Sequence, residues 1–115
     1  MRVYIAGPMT GIEDYNYPAF YAMANKIRYA TDWEVDNPAE HYGGRQDLPR
    51  DIYMRAAIEA VLGCDAVVLL PGWMDSEGAW VEVQVAQALS LTFFDQNLVE
   101  VVDPLAPYRS TEAIA

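Results

Sequence analysis

Asp65-Ala66-Val67-Val68-Leu69-Leu70-Pro71-Gly72 is the stretch that decides the fold. Five apolar residues in a row, closed by Pro-Gly, predict a strand over 66–70 that is covered on both faces, as central strands of parallel sheets are. Upstream, Met54, Ala57, Ile58, Val61 and Leu62 repeat at helical spacing from Arg50 onward, with Asp51, Arg55 and Glu59 forming a charged ladder on the side facing water. Before that helix lies a long polar loop from Asn37 to Pro49, preceded by a short strand over 33–36. Phe20, Met23, Ala24 and Ile27 mark an earlier helix from Pro18 to about Ala30, and Arg2–Ala6 reads as the first strand, ending in the breakers Gly7-Pro8-Met9-Thr10-Gly11. Downstream, Ser76–Leu89 predicts a third helix, and Thr92–Phe94 with Leu98–Val102 supplies one or two further strands. Strands alternating with helices of this length predict a doubly wound, mostly parallel α/β sheet of four or five strands, Rossmann-like or flavodoxin-like, with helices on both faces. In such sheets ligands gather beyond the carboxyl ends of the strands, so residues 7–17, 37–49 and 71–76 should meet around one crevice.

The 115 residues suit one domain, placed at 1–103 with a polar tail over 104–115. A hydrophobic fraction of 53% against 21% charged residues is globular, and no apolar window is long enough to span a membrane. The amino terminus runs directly into Met-Arg-Val-Tyr-Ile-Ala-Gly without a signal-peptide pattern, and Cys64 is the single cysteine, so a soluble cytoplasmic protein is expected. Seventeen acidic against seven basic residues, a net charge of −10, disfavour any nucleic acid polymer as partner. A closed pocket for a small nucleoside or nucleotide remains compatible with that charge. Neither a dinucleotide fingerprint nor a Walker motif is present, and no cofactor or metal is expected.

Within the third helix, at about 100° per residue, Glu82 falls about 160° from Gln84, the centre of the polar side, whereas Glu77 lies within about 20° of it. Glu82 shares its face with Gly78, Ala79, Val85, Ala86 and Leu89, and a carboxylate among such neighbours needs a partner or a purpose. A structural carboxylate bonding a nearby loop is the plain alternative. Tyr4, near the end of the first strand, can reach the same crevice with its hydroxyl or serve only as packing. Tyr15, Tyr17 and Trp73 sit in loops at the expected mouth, where a flat base can stack. Ser76 reads first as the cap of the third helix. His41, the only histidine, reads as a solvated loop residue, and Cys64 as a small core residue.

The opening Val-Tyr-Ile-Ala-Gly-Pro-Met-Thr-Gly, the Asp14–Phe20 entry into the first helix, the Cys64–Trp73 strand and turn, and the Asp75–Glu82 helix start occur in one order over residues 1–95. Together they resemble the nucleoside 2-deoxyribosyltransferase-like superfamily, and most closely its small branch, often encoded by bacteriophages. The resemblance implies cleavage or transfer at the N-glycosidic bond of a nucleoside or nucleoside 5′-monophosphate through a covalent glutamate intermediate, without cofactor, in a homo-oligomer. It makes Glu82 the nucleophile and Tyr4 its companion, with Gly7, Pro8, Met9, Tyr17, Gly72, Trp73, Asp75, Ser76 and Gly78 as substrate contacts. Where the transferases carry two supporting acids, this chain has Ala56 and Ser76, with Asp51 and Asp75 nearby. A nucleotide-binding protein that keeps the pocket without catalysis is therefore the rival expectation.

Overall fold

The computed structural model describes residues 1–108 of the chain. Five strands, β1 (Arg2–Ala6), β2 (Glu34–Asp36), β3 (Ala66–Leu69), β4 (Thr92–Phe94) and β5 (Glu100–Val101), form one sheet in the order β2-β1-β3-β4-β5. The first four pair in parallel and β5 joins antiparallel to β4. The α/β class and its mostly parallel sheet are those the alternating pattern predicts. Three helices connect the strands: α1 (Tyr17–Ala30), α2 (Arg50–Leu62) and α3 (Glu77–Ala88).

Every residue of β3 is buried, because the sheet is covered twice. On one face Val3, Ile5, Ala66 and Val68 pack against Phe20, Ala24 and Ile27 of α1. On the other, Tyr4, Ala6, Val67 and Leu69 pack against Ala57 and Val61 of α2 and Ala79, Val83 and Ala86 of α3. Alternate residues of each strand thus serve opposite cores, as the period of two requires. Two apolar positions depart from the sequence expectation. Leu62 and Leu89, assigned to inward faces, are 59% and 45% exposed, since each lies at the end of its helix where the chain has already turned away from the sheet. Residues 104–108 of the expected tail include the buried Pro104 and a Tyr108 ring set edge-on against Trp73 and Trp80. Residues 109–115 of that tail lie outside the described residues.

The chain leaves β1 and β3 side by side, and Gly7 is what allows it. A β-carbon at position 7 would stand 2.7 Å from Leu70 Cβ, too near the backbone for a rotamer change to relieve. Gly7→Ala is therefore expected to destabilise the fold by about 1–3 kcal/mol, the usual cost of overpacking. Chemical denaturation measures this directly, and an unchanged midpoint would mean that the two strand ends can separate freely.

Candidate functional site

The sequence order 2-1-3 places a topological switch between β1 and β3, and the space beyond their carboxyl ends is where open α/β sheets hold ligands. A cavity of about 250 Å³ opens there. Its floor is built by Tyr4 of β1, by Gly7 just after that strand, and by Gly78, Ala79 and Glu82 from α3. Met54 and Ala57 of α2 form one wall, and Met9, Tyr15, Tyr17 and Phe20 form another. His41, Gln46, Leu48, Arg50 and Tyr53 complete the rim.

Glu82 is only 7% exposed and accepts a 3.0 Å hydrogen bond from the Tyr4 hydroxyl. Burial lifts the Glu82 carboxyl from 4.5 to about 8, with the Tyr4 bond pulling in the opposite direction. This rise is far larger than an apolar helix face by itself suggests, because a single hydroxyl is the carboxyl's one hydrogen-bond partner among the described residues. The Tyr4 phenol is raised well above its ordinary value, first by burial and then by the neighbouring Glu82 charge, so it stays a donor. Gly78, one turn before Glu82, faces the α2 side, where a β-carbon would meet Met54 Sδ at 3.3 Å. Its missing side chain keeps the approach to the carboxyl open.

The loops of the rim are tied to one another. Asn16 Nδ2 donates to the Pro8 carbonyl at 2.9 Å, and the Tyr17 and Tyr53 hydroxyls both donate to the Arg45 carbonyl, at 3.4 and 2.7 Å. Asp14, Tyr15 and Asn16 all adopt left-handed backbone conformations, a costly run for residues other than glycine that sets the Tyr15 ring over the opening. At the far side Arg50 pairs with Glu77 at 3.5 Å across the amino ends of α2 and α3, both side chains largely in solvent.

Of the residues singled out in the sequence, Tyr4, Gly7, Met9, Tyr15, Tyr17, Ser76, Gly78 and Glu82 line the cavity. Pro8, Gly72, Trp73 and Asp75 do not. Pro8 and Gly72 pack behind the cavity, where Pro8 Cγ lies 3.5 Å from the position of a Gly72 β-carbon. After the left-handed turn at Gly72, Trp73 is buried outside the cavity lining and stacks on Trp80 with ring centres 5.6 Å apart. Trp73 is thus a core residue rather than a stacking platform. Asp75 and Asp51 are exposed and neither reaches the cavity. Ser76 Oγ accepts from the Ala79 amide at 3.2 Å and caps α3. Cys64 is buried and its thiol is pushed up to about 11, chiefly by burial, which leaves it inert.

The sequence reading gave no site role to the rim residues His41, Gln46, Leu48, Arg50 and Tyr53, and two of them make contacts that matter. Tyr53 is read there as part of a helix with no special role, although its hydroxyl ties down the loop at Arg45 and Leu48. His41 is read as solvated, yet its ring is half-buried against the cavity and its Nε2 lies 2.6 Å from Asp36 Oδ1. The signal available for His41 was Asp36, five residues earlier at the end of β2, which only the fold of the intervening turn brings back to it. Among the described residues no set of three or more His, Cys, Asp or Glu side chains converges as metal ligands. No described helix is long and apolar enough to cross a membrane.

Fold and site together define an α/β domain with a cavity at the switch of its sheet and a buried carboxyl on the cavity floor. The chain belongs to the family described as Domain of unknown function (DUF4406), whose model matches residues 1–95. A search of curated proteins finds no match. The matched span includes both strands of the switch, all three helices and each cavity-lining residue.

Proposed function

We propose that this protein cleaves or transfers the N-glycosidic bond of a nucleoside or nucleoside 5′-monophosphate, with Glu82 as the nucleophile. The observation that carries the reading is the Glu82 carboxyl itself, buried on the floor of the cavity and held by the Tyr4 hydroxyl. A carboxylate in such a place gains most when positive charge develops beside it, as it does at the anomeric carbon during glycosidic cleavage. Ionised Glu82 attacks that carbon, the bond to the base breaks with its electron pair leaving on the base, and water or a second base then displaces Glu82. The Tyr4 hydroxyl fixes the attacking oxygen. The rim tyrosines, Tyr15 and Tyr17, offer aromatic faces for the base, and Arg50 at the opening suits a 5′ phosphate. The sequence resemblance over residues 1–95 supports the same chemistry. We place the protein in the cytoplasm as a homo-oligomer, the exposed Val81 and Leu89 of α3 being apolar surface that a second copy can cover.

A second reading, a nucleotide-binding protein without catalysis, is favoured by one observation: a carboxyl titrating near pH 8 is mostly neutral at pH 7. Incubation with mixed nucleosides and 5′-monophosphates, followed by chromatography for free base, separates the two. Base release is expected. Calorimetric binding without any base release would establish the second reading instead.

A further inference from the structure

A nucleobase leaves readily only when a proton reaches it, and the cavity holds one side chain suited to deliver it. Tyr4 is committed to Glu82 and held far above neutrality by burial, and the Tyr17 and Tyr53 hydroxyls are committed to the Arg45 carbonyl. Tyr15 is an exposed phenol, phenols being poor acids near neutral pH, and Arg50 does not give up its proton. His41 remains. Its ring lines the same cavity as Glu82, and its Nε2 is bonded to Asp36 Oδ1 at 2.6 Å. With Nε2 on Asp36, Nδ1 is the ring nitrogen not engaged in a hydrogen bond with the described residues.

The placement of this pair follows from the fold. Asp36 is the last residue of β2 and stands in register with Tyr4 of β1, so the two project to the same face of the sheet. Asn37, 2% exposed, accepts the Ala39 amide at 3.0 Å and starts the turn over 38–44, and that turn breaks at His41 so that the ring comes back to Asp36. Arg2 Nη2 lies 3.3 Å from the other Asp36 oxygen. The hydrogen bond from His41 holds the Asp36 carboxyl below its ordinary range, against the effect of burial. Asp36 is thus a fixed anion that sets the orientation of the ring.

We infer that His41, oriented by Asp36, is the proton donor to the departing base and the proton acceptor for the incoming water in the Glu82 cavity. The inference rests on the proposed glycosidic chemistry. In the first half-reaction the bond between C1′ and the base nitrogen breaks, its electron pair stays on the base, and a ring atom of the base (N7 in a purine) takes the proton from His41 Nδ1. Glu82 forms the bond to C1′. In the second, neutral His41 removes a proton from water as its oxygen bonds to C1′, and the Glu82 carboxylate is released. His41 is the catalytic residue of the pair and Asp36 its positioning residue.

The test compares guanosine with 7-methylguanosine, each as ribo- and deoxynucleoside and as the 5′-monophosphate, because the methylated base leaves without a proton. With the protein in excess, so that only the first half-reaction is read, His41→Gln is expected to slow guanine release by about 100-fold or more, in the range of general acid catalysis, while 7-methylguanine release stays within about threefold. Asp36→Asn should show the same split to a smaller degree, which keeps the test open should His41→Gln not fold. Equal losses on both substrates, or no loss on either, would overturn the role of His41 and leave the glycosidic reading standing. A wild-type protein that releases other bases but leaves 7-methylguanosine intact overturns it as well. If the wild-type protein releases no base from any nucleoside or nucleotide, the glycosidic reading and this inference fall together.

Discussion

Glu82→Gln is expected to reduce base release by on the order of 10³-fold or more while nucleotide binding changes by no more than a few fold. The amide matches the carboxylate in shape and its carbonyl oxygen can accept the 3.0 Å bond from Tyr4, so neither the fold nor the cavity should change. What the amide lacks is an oxygen that can form and later release the bond to C1′. The wild-type pH profile provides an independent measure of the same group. With a free-protein value of about 8, the fraction of ionised Glu82 rises with pH, so kcat/KM for a nucleoside whose base leaves without a proton from His41 should climb nearly tenfold per unit below pH 8 and level off above it. Tyr4→Phe deletes the bond that favours the charged form, which moves this limb to higher pH. A Glu82→Gln variant that still releases base, or a profile flat from pH 6 to 8, would remove Glu82 from the mechanism.

The sequence made the α/β fold readable because the deciding information was local. Residues 66–70 are apolar without interruption, and α1 and α3 each carry one face whose period fixes their rotation. The same helical geometry turns Glu82 inward, and the structure finds it 7% exposed. Partnerships created by tertiary approach were less legible. The distance between Tyr4 and Glu82 spans 78 positions of sequence, and only a hint of their meeting was available from strand and helix order. Asp36 and His41 are near in sequence, yet their contact depends on the tight turn that Asn37 starts and that breaks at His41, and nothing in the local pattern specified that path. Trp73 went the other way for a similar reason. A loop position beside a strand end looked like the mouth of the crevice, but the turn at Gly72 directs the ring into an aromatic cluster with Trp80 and Tyr108.

The buried carboxyl should also be visible in the stability of the folded chain. Glu82 titrates near 8 when folded and near 4.5 when unfolded, so between those values the folded state binds more protons than the unfolded one. Stability from this group is therefore fully present below about pH 4.5 and is lost as pH rises toward 8. Other groups, including the many surface acids, titrate in the same range, so the wild-type curve by itself does not isolate the effect. The difference between the Glu82→Gln variant and the wild-type protein does, since every other group is common to both. That difference should favour the variant by about 1.4 kcal/mol more for each pH unit between roughly 5 and 8, reaching the order of several kcal/mol, and then stay constant. Urea denaturation of the two proteins at pH 5, 6.5 and 8.5 measures it. A difference that does not change with pH would show that Glu82 ionises at its ordinary value in the folded protein. The total change across this range gives the free energy by which the ionised nucleophile is destabilised in the empty cavity. That is the free energy a positively charged anomeric centre would recover on reaching Glu82, which links the cost of folding around this carboxyl to the preference of the site for a transition state over a ground state.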